Sequence, residues 1–384
     1  HLLDLAAAHA LGEPGTRAAF LRDLRILARL RRRPHAAWDN ALSAALRLQH
    51  LIAAHDLLRD GDGLPDWAHG AVAQLVVADR DFLHAQLGRK AGNQEFAIVT
   101  AVLLAIDYFG DALDGADLRP RAAARLAEIL DTEVLPGGAG IEQVPMYHGV
   151  VVLQLLNHLA FLARNGLPVD DRLERTVAAM VARLVEQADP EGRIPPIGDS
   201  DRHPVAYVVA YARAVLGASA VPVAAIVRPD GDDTVVNVCP DTARAVVRRW
   251  RDDGTQHWLL FDGSGKPPAP RDWHSHPDDL QFLLHTEDGP LATDPGRFTY
   301  ASAFRARWPL LGRPIYERGR ARILYRLLFR RRGDLNDRNW RLHFARSAAH
   351  NVLTPGGRDL PGYGGRTEAG PRVALEVATV ADGV

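Results

Sequence analysis

Two histidines one residue apart, in Trp273-His274-Ser275-His276-Pro277-Asp278, are the residues of this chain best placed to do chemistry. On an extended segment side chains repeat with period two, so His274 and His276 point to the same face. The run Leu280-Gln281-Phe282-Leu283-Leu284 and the later Gly289-Pro290-Leu291-Ala292-Thr293-Asp294-Pro295-Gly296 read as a strand, a turn and a returning strand, which bring Asp294 back towards the pair. Two imidazoles and a carboxylate make a ligand set for a zinc-like ion, and an imidazole left out of that set can handle a proton. For H-x-H by itself, a pair of surface histidines with no chemistry is an equal reading.

Elements must hold these groups. Up to about residue 218, segments rich in Ala, Leu and Arg repeat with helical spacing, as in Leu42, Ala45, Leu46, Leu48, Leu51, Ile52 and Ala53, or Val150, Leu153, Leu155, Leu156 and Leu159. Turn clusters at Gly61-Asp62-Gly63-Leu64-Pro65, Leu135-Pro136-Gly137-Gly138 and Asn165-Gly166-Leu167-Pro168 separate them, at spacings suited to antiparallel helical neighbours. After Pro222 short β-favouring runs take over, at 234–238, 245–247 and 257–261. The expected division is a helical domain over 1–222 and a β domain over 223–384. A length of 384 residues exceeds one ordinary domain, and 47% hydrophobic content supplies two cores. No apolar run is read as reaching the roughly 18 residues of a membrane span, so no membrane insertion is expected. A net charge of −1 gives no global attraction for nucleic acid. Cys239 is the only cysteine, which excludes an intramolecular disulfide and leaves the redox compartment open. The chain begins at His1 without a signal-peptide pattern, and a processed or trimmed start is expected.

Five blocks follow one another along the chain. They are Gly92-Asn93-Gln94-Glu95; Gly140-Ile141-Glu142-Gln143 leading to Met146-Tyr147-His148; Pro195-Pro196-Ile197-Gly198-Asp199-Ser200-Asp201; the stretch from His274 to Gly296 with Arg297-Phe298-Thr299-Tyr300; and Arg346-Ser347-Ala348-Ala349-His350-Asn351. In this order they resemble the heparinase II/III-like polysaccharide lyases. One block would be weak, but five in order, spread over most of the chain, are strong. The resemblance implies an incomplete (α/α) toroid followed by an antiparallel β-sandwich, an α+β multidomain fold with the sugar chain bound between the two. The sandwich looks short, because the chain stops soon after Val373-Ala374-Leu375-Glu376-Val377, and a truncated C-terminus is expected.

The implied chemistry is β-elimination in a uronic-acid polymer. The proton at C5 is weakly acidic because the developing carbanion sits beside a carboxylate, so that carboxylate must first be neutralised or hydrogen-bonded. The resemblance gives this role to Asn93, whose amide donates without taking the proton; a helix cap is the plainer role for an Asn after Gly. Tyr147 resembles the catalytic tyrosine, delivering a proton to the leaving O4 and, for one C5 configuration, removing the C5 proton as well. His274 is the complementary base or carboxylate neighbour. Gln94, Glu142, His148 and Trp273 are candidate sugar contacts, and His148 could instead hydrogen-bond a neighbouring helix. Asp199 and Asp201 are read as organising their loop. A structural ion, zinc rather than calcium, is expected on His276, Asp294 and His350, orienting the hairpin that carries His274.

The arginine-rich run Arg318, Arg320, Arg322, Arg326, Arg330, Arg331 and Arg332 could bind carboxylates or sulfates, or form a solvated helical face. A second run, Arg22, Arg25, Arg29, Arg31, Arg32 and Arg33, is read as an outer helix face. Neither accompanies a nucleic-acid-binding motif, so nucleic acid is not expected; the family resemblance implies an acidic polysaccharide as the partner. Family resemblance implies a periplasmic or secreted location, and the oligomeric state is open. A uronyl C5-epimerase and a non-catalytic acidic-glycan-binding protein are the alternative functions.

Overall fold

The computed structural model describes residues 1–31, 38, 40–59, 64–110, 117–221, 227–228, 233–263, 274–297, 344, 346–352, 354 and 356. Trp273, Arg32, Arg33, the arginine run 318–332 and the segment 373–377 lie outside these residues. Helices come first: α1 (Leu2–Ala10), α2 (Thr16–Leu30), α3 (Ala41–Leu58), α4 (Asp66–His84), α5 (Gly92–Phe109), α6 (Leu118–Glu133), α7 (Pro145–Arg164), α8 (Asp171–Glu186) and α9 (Ala206–Leu216). Five strands follow: β1 (Thr234–Cys239), β2 (Arg244–Trp250), β3 (Gln256–Asp262), β4 (Gln281–Thr286) and β5 (Gly289–Ala292). The change from helix to strand thus falls between Leu216 and Thr234, around the change in sequence texture.

Compactness divides the described residues differently. One unit comprises His1–Val134 with Val150–Val177, the other Leu135–Gly149 with the chain from Ala178. In the first unit α3 packs on α1, α4 and α5. Helix α5 is apolar on nearly every face from Phe96 to Ile106 and is buried along that length, the pattern of a core helix rather than a surface one. Asn40 opens α3 by accepting the Ser43 N–H at 2.9 Å, which satisfies one of the orphan donors of a helix start. The Gln49 amide of α3 ties it to α5, donating to Ala97 O at 3.2 Å and Thr100 Oγ1 at 2.9 Å.

The sheet of the second unit is an antiparallel meander in the order β1-β2-β3-β4-β5. Register places Val246 beside Leu260 and Leu260 beside Leu283. With Trp258 and Ile197 these residues form one buried cluster, so the sheet core reaches directly into the loop that begins at Pro195. Arg248, 1% exposed, projects from β2 and donates to the carbonyls of Glu186 and Ala188 at the end of α8. Burial pulls its guanidinium down to about 10 against the opposing charges of Glu186 and Asp189.

Two sequence expectations change. The strand-turn-strand reading holds for β4 and β5, but the histidine pair lies before β4 in an irregular segment, and Leu280 takes a left-handed φ of 59° at the strand entrance. Helix α7 has the length and composition to cross a membrane, with 61% of its apolar window buried inside the structure. The expectation that no run reaches span length is therefore corrected. The helix interposes His148, Gln154, Asn157 and His158 among its apolar residues.

Candidate functional site

The site is built on a narrow excursion between α8 and α9. Asp189 Oδ1 accepts the N–H groups of Glu191 and Arg193, both at 3.0 Å, and Asp189 is ion-paired to Arg202. The Arg193 and Pro204 backbones bridge antiparallel above this base. The tip, 195–201, is thereby held as a rigid finger. Its Gly198 has φ +59° and meets the His274 segment so closely that a Cβ there would stand 2.6 Å from His274 O. Only glycine allows that approach.

Four successive residues of the tip, Gly198 to Asp201, each grip a different group. The Gly198 N–H donates to Asp278 Oδ2 at 3.2 Å, and the Asp199 N–H to His274 O at 2.8 Å. The Asp199 carboxylate, 0% exposed, accepts from His274 Nδ1 on one oxygen at 3.2 Å and from His276 Nε2 on the other at 3.1 Å. Ser200 Oγ accepts the Met146 N–H at 3.0 Å and so satisfies a donor in the first turn of α7. Asp201 is paired in two-point fashion with Arg297. Gly296, at φ +64°, passes the tip with Ser200 O only 3.0 Å from where a Cβ would sit.

Helix α7 starts with the side chain of greatest interest. Tyr147, one residue after the Ser200 contact, stacks on His274 with ring centroids 3.6 Å apart and planes 14° from parallel. In such a stack the polar edge atoms lie in separate, nearly parallel planes rather than pointing at one another. The His274 side chain keeps 18% exposure while the carboxylate behind it has none. One ring edge is thus anchored on a buried carboxylate while the ring as a whole stays partly exposed.

A second cluster adjoins the first. The ligand atoms of Asp278, Asp294 and His350 all lie within 4.8 Å of one another. His350 Nδ1 pairs with Asp294 Oδ2 at 2.7 Å, and Asp294 Oδ1 accepts the Gly296 N–H at 2.7 Å. Burial raises the Asp294 carboxyl above its ordinary range, with the His350 bond opposing. Burial works against the His350 imidazolium, but the Asp294 hydrogen bond and charge outweigh it and hold that ring above its usual value. Asn351, next in the chain, donates to Phe282 O at 3.2 Å and Thr293 O at 2.9 Å, pinning this segment to β4 and to the residue before Asp294. Of the expected ligands His276, Asp294 and His350, the structure groups the last two with Asp278. The His276 ring stands 5.2 Å from that of His350, with its Nε2 engaged by Asp199. Two buried imidazole nitrogens, His276 Nδ1 and His350 Nε2, have no hydrogen-bond partner among the described residues. Orphaned imidazole nitrogens beside two carboxylates are the donor chemistry a cation satisfies, so these residues fit a metal.

The remaining candidates separate clearly. Asn93 is buried as the second residue of α5, whose N-cap position is Ala91, so Asn93 is not the cap. It belongs to the first unit, as does half-buried Gln94. Glu142 is half-buried in the turn before α7. His148 is fully occupied: its Nε2 donates to Met180 O on α8 at 2.7 Å and its Nδ1 accepts the Gly140 N–H at 3.2 Å. Burial lowers it to about 4, so the ring is neutral. Of the two roles open to it, this geometry is the bond to a neighbouring helix, not the sugar contact. Asp278 and Ser200 were missed as site residues. The signal for Asp278 was its place two residues after His276 in the same block, whereas nothing local marks Ser200 as a partner of α7.

Residues 240–384 match the family model described as Heparinase II/III-like, C-terminal. No curated protein matches the chain in sequence. Among solved structures, one titled Heparinase III is similar over 96% of this chain and 55% of its own, at 13% identity and a TM-score of 0.63. A mutant of the heparan sulfate lyase HepC from Pedobacter heparinus is similar over 95% and 53%, at 16% identity and a TM-score of 0.59. The chain therefore spans about half the length of the solved structures it matches. At these identities the likeness carries the fold: a helical toroid followed by an antiparallel β-sandwich, of which the described residues supply one five-stranded sheet. The family resemblance read from the sequence is borne out to this extent: residues 240–384 are similar in sequence to the heparinase II/III-like C-terminal family, and the fold is similar to that of the solved heparinase III structure.

Proposed function

We propose that the protein is a polysaccharide lyase that cleaves a uronic-acid-containing glycan by β-elimination. The observation that carries this reading is the Tyr147–His274 stack, backed by a buried carboxylate. Elimination removes a proton at C5 and delivers one to O4 on the adjacent carbon. Two proton-handling rings one stacking distance apart suit groups on neighbouring carbons. His274 takes the C5 proton, the C5–H electron pair becomes the C4=C5 double bond, and the C4–O4 bond breaks. The leaving O4 takes the Tyr147 phenolic proton, and solvent returns the proton from His274 to the phenolate. Asn93 hydrogen-bonds the substrate carboxylate as charge builds on it, with Gln94 and Glu142 near the sugar hydroxyls; Trp273 is a further stacking candidate outside the described residues.

In this reading Asp278, Asp294 and His350, with His276 beside them, would hold a zinc ion. Bound there, the ion would anchor the loop that carries His274 rather than supply reaction chemistry. The substrate is an acidic polysaccharide, and the location that goes with it is periplasmic or secreted.

The test is a panel of uronate polysaccharides, including heparan sulfate, incubated with the protein and read for new ultraviolet-absorbing unsaturated ends. Appearance of such ends with at least one polymer is expected. Exchange of the C5 hydrogen without chain cleavage would reassign the protein as an epimerase, and binding with neither would make it a glycan-binding protein.

A further inference from the structure

We infer that Asp199 is a positioning residue that fixes the proton arrangement of both histidines of the H-x-H pair, setting His274 for the reaction and His276 for the neighbouring cluster through the two oxygens of one buried carboxylate. The consequence for turnover rests on the lyase reading above; the tautomer assignment does not.

Asp199 is 0% exposed, and its oxygens meet His274 Nδ1 at 3.2 Å and His276 Nε2 at 3.1 Å. A carboxylate only accepts, so each imidazole must place its N–H on the nitrogen facing it. His274 then carries its proton on Nδ1, which leaves the Nε2 lone pair available to a substrate proton. His276 carries its proton on Nε2, which leaves the Nδ1 lone pair as an acceptor or ligand. That assignment accounts for an independent observation: His276 Nδ1 is buried without a hydrogen-bond partner among the described residues. With the proton on Nε2, that buried nitrogen of a ring 5.2 Å from the His350 ring is a lone pair that can act as a ligand, whereas an N–H there would need an acceptor. The two rings are therefore protonated on opposite nitrogens although they sit one residue apart.

Geometry keeps the carboxylate in register. The Asp199 N–H donates to His274 O at 2.8 Å, so backbone and side chain hold the same residue at two points. Gly198 permits the approach, and Asp278 receives its N–H. Tyr147 stacks on the face of the ring that Asp199 grips by its edge. Rotation of His274 would break the carboxylate bond or the stack, so the ring is locked both in tautomer and in plane. An imidazole locked in the wrong tautomer loses several orders of magnitude in hydrolases that depend on a carboxylate behind a histidine.

Long-range nitrogen–proton spectra of the imidazoles, on full-length wild-type protein at neutral pH, test this directly. His274 is expected as the Nδ1–H tautomer and His276 as the Nε2–H tautomer, assigned with His274→Ala and His276→Ala. Finding His274 protonated on Nε2 overturns the inference without any variant of Asp199. Asp199→Asn keeps the shape but presents one donor and one acceptor, so one of the two rings must change tautomer; unchanged spectra in a folded variant also overturn it. On a polymer that wild type cleaves, Asp199→Asn should lower kcat by about 100-fold or more while KM moves less than about threefold. Equal loss in both, or loss of KM alone, would make Asp199 a structural residue. If wild type cleaves no polymer but the tautomers are as assigned, the lyase reading fails and the assignment stands.

Discussion

Among the fully buried carboxylates of the described residues, Glu95 and Asp199 are answered in different ways. Glu95 of α5 accepts the N–H groups of Gly88 at 2.6 Å and Lys90 at 3.2 Å and pairs with Arg125 at 2.9 Å. Asp199 of the second unit is met by two imidazole rings, one of them partly exposed. A permanent guanidinium and backbone donors carry no proton that a reaction can use, so Glu95 is an internal tie between α5, the turn before it and α6. Imidazoles gain and lose protons near neutrality. The carboxylate met by the partly exposed His274 ring belongs to the candidate site, and the one met by Arg and backbone belongs to the helical framework. Burial by itself distinguishes neither.

The largest effect that sharpens this contrast is on stability. Glu95→Ala leaves two backbone donors without their acceptor and Arg125 with Glu128 as its remaining carboxylate, and breaking a buried pair costs about 3–5 kcal/mol. Thermal unfolding of Glu95→Ala should show that loss, together with any fall in activity following the folded fraction. A variant as stable as wild type would put Glu95 outside the architecture.

Next in size is the catalytic side of the comparison. Tyr147→Phe keeps the stacked ring and removes only the phenolic proton, and a drop of about 100-fold or more in kcat is expected, equivalent to about 2.7 kcal/mol. Melting temperature should hardly move. Asn93→Ala should lower kcat more than it raises KM, because its hydrogen bond strengthens as charge develops. Near-normal kcat in Tyr147→Phe, on a polymer that wild type cleaves, would remove Tyr147 from the reaction.

The smallest effect on turnover concerns the cluster behind the histidines. His350→Ala should abolish about one equivalent of bound metal in elemental analysis, lower the melting temperature, and reduce kcat by roughly 10-fold through the loop that carries His274. Metal-free wild type with full stability and turnover would leave Asp278, Asp294 and His350 as a hydrogen-bonded cluster only.

Much of this was legible in the chain. Helical periodicity up to α9 and alternating β-runs from β1 follow from local side-chain spacing, which is a property of sequence. The five ordered blocks located the finger, the start of α7, the histidine pair and His350, because each is a short contiguous stretch. The β4–β5 hairpin was legible for the same reason. The irregular path of 274–280 was not, since nothing in His-Ser-His-Pro specifies that a distant glycine, Gly198, must press against His274 O.

Residue types by themselves determined that this chain has imidazoles, a phenol and carboxylates in the order of a lyase-like family. Only the tertiary structure decided which of them share a partner. His148 and His274 are both histidines in such blocks, yet one is neutralised between two backbone groups and the other is stacked and half anchored. Asp199, a loop residue in the sequence, became the hub because the finger folds back about 75 positions of chain onto the pair. Such pairings depend on contacts between segments far apart in the chain, and the free energy of a buried polar group is set by those neighbours rather than by its own position in the sequence.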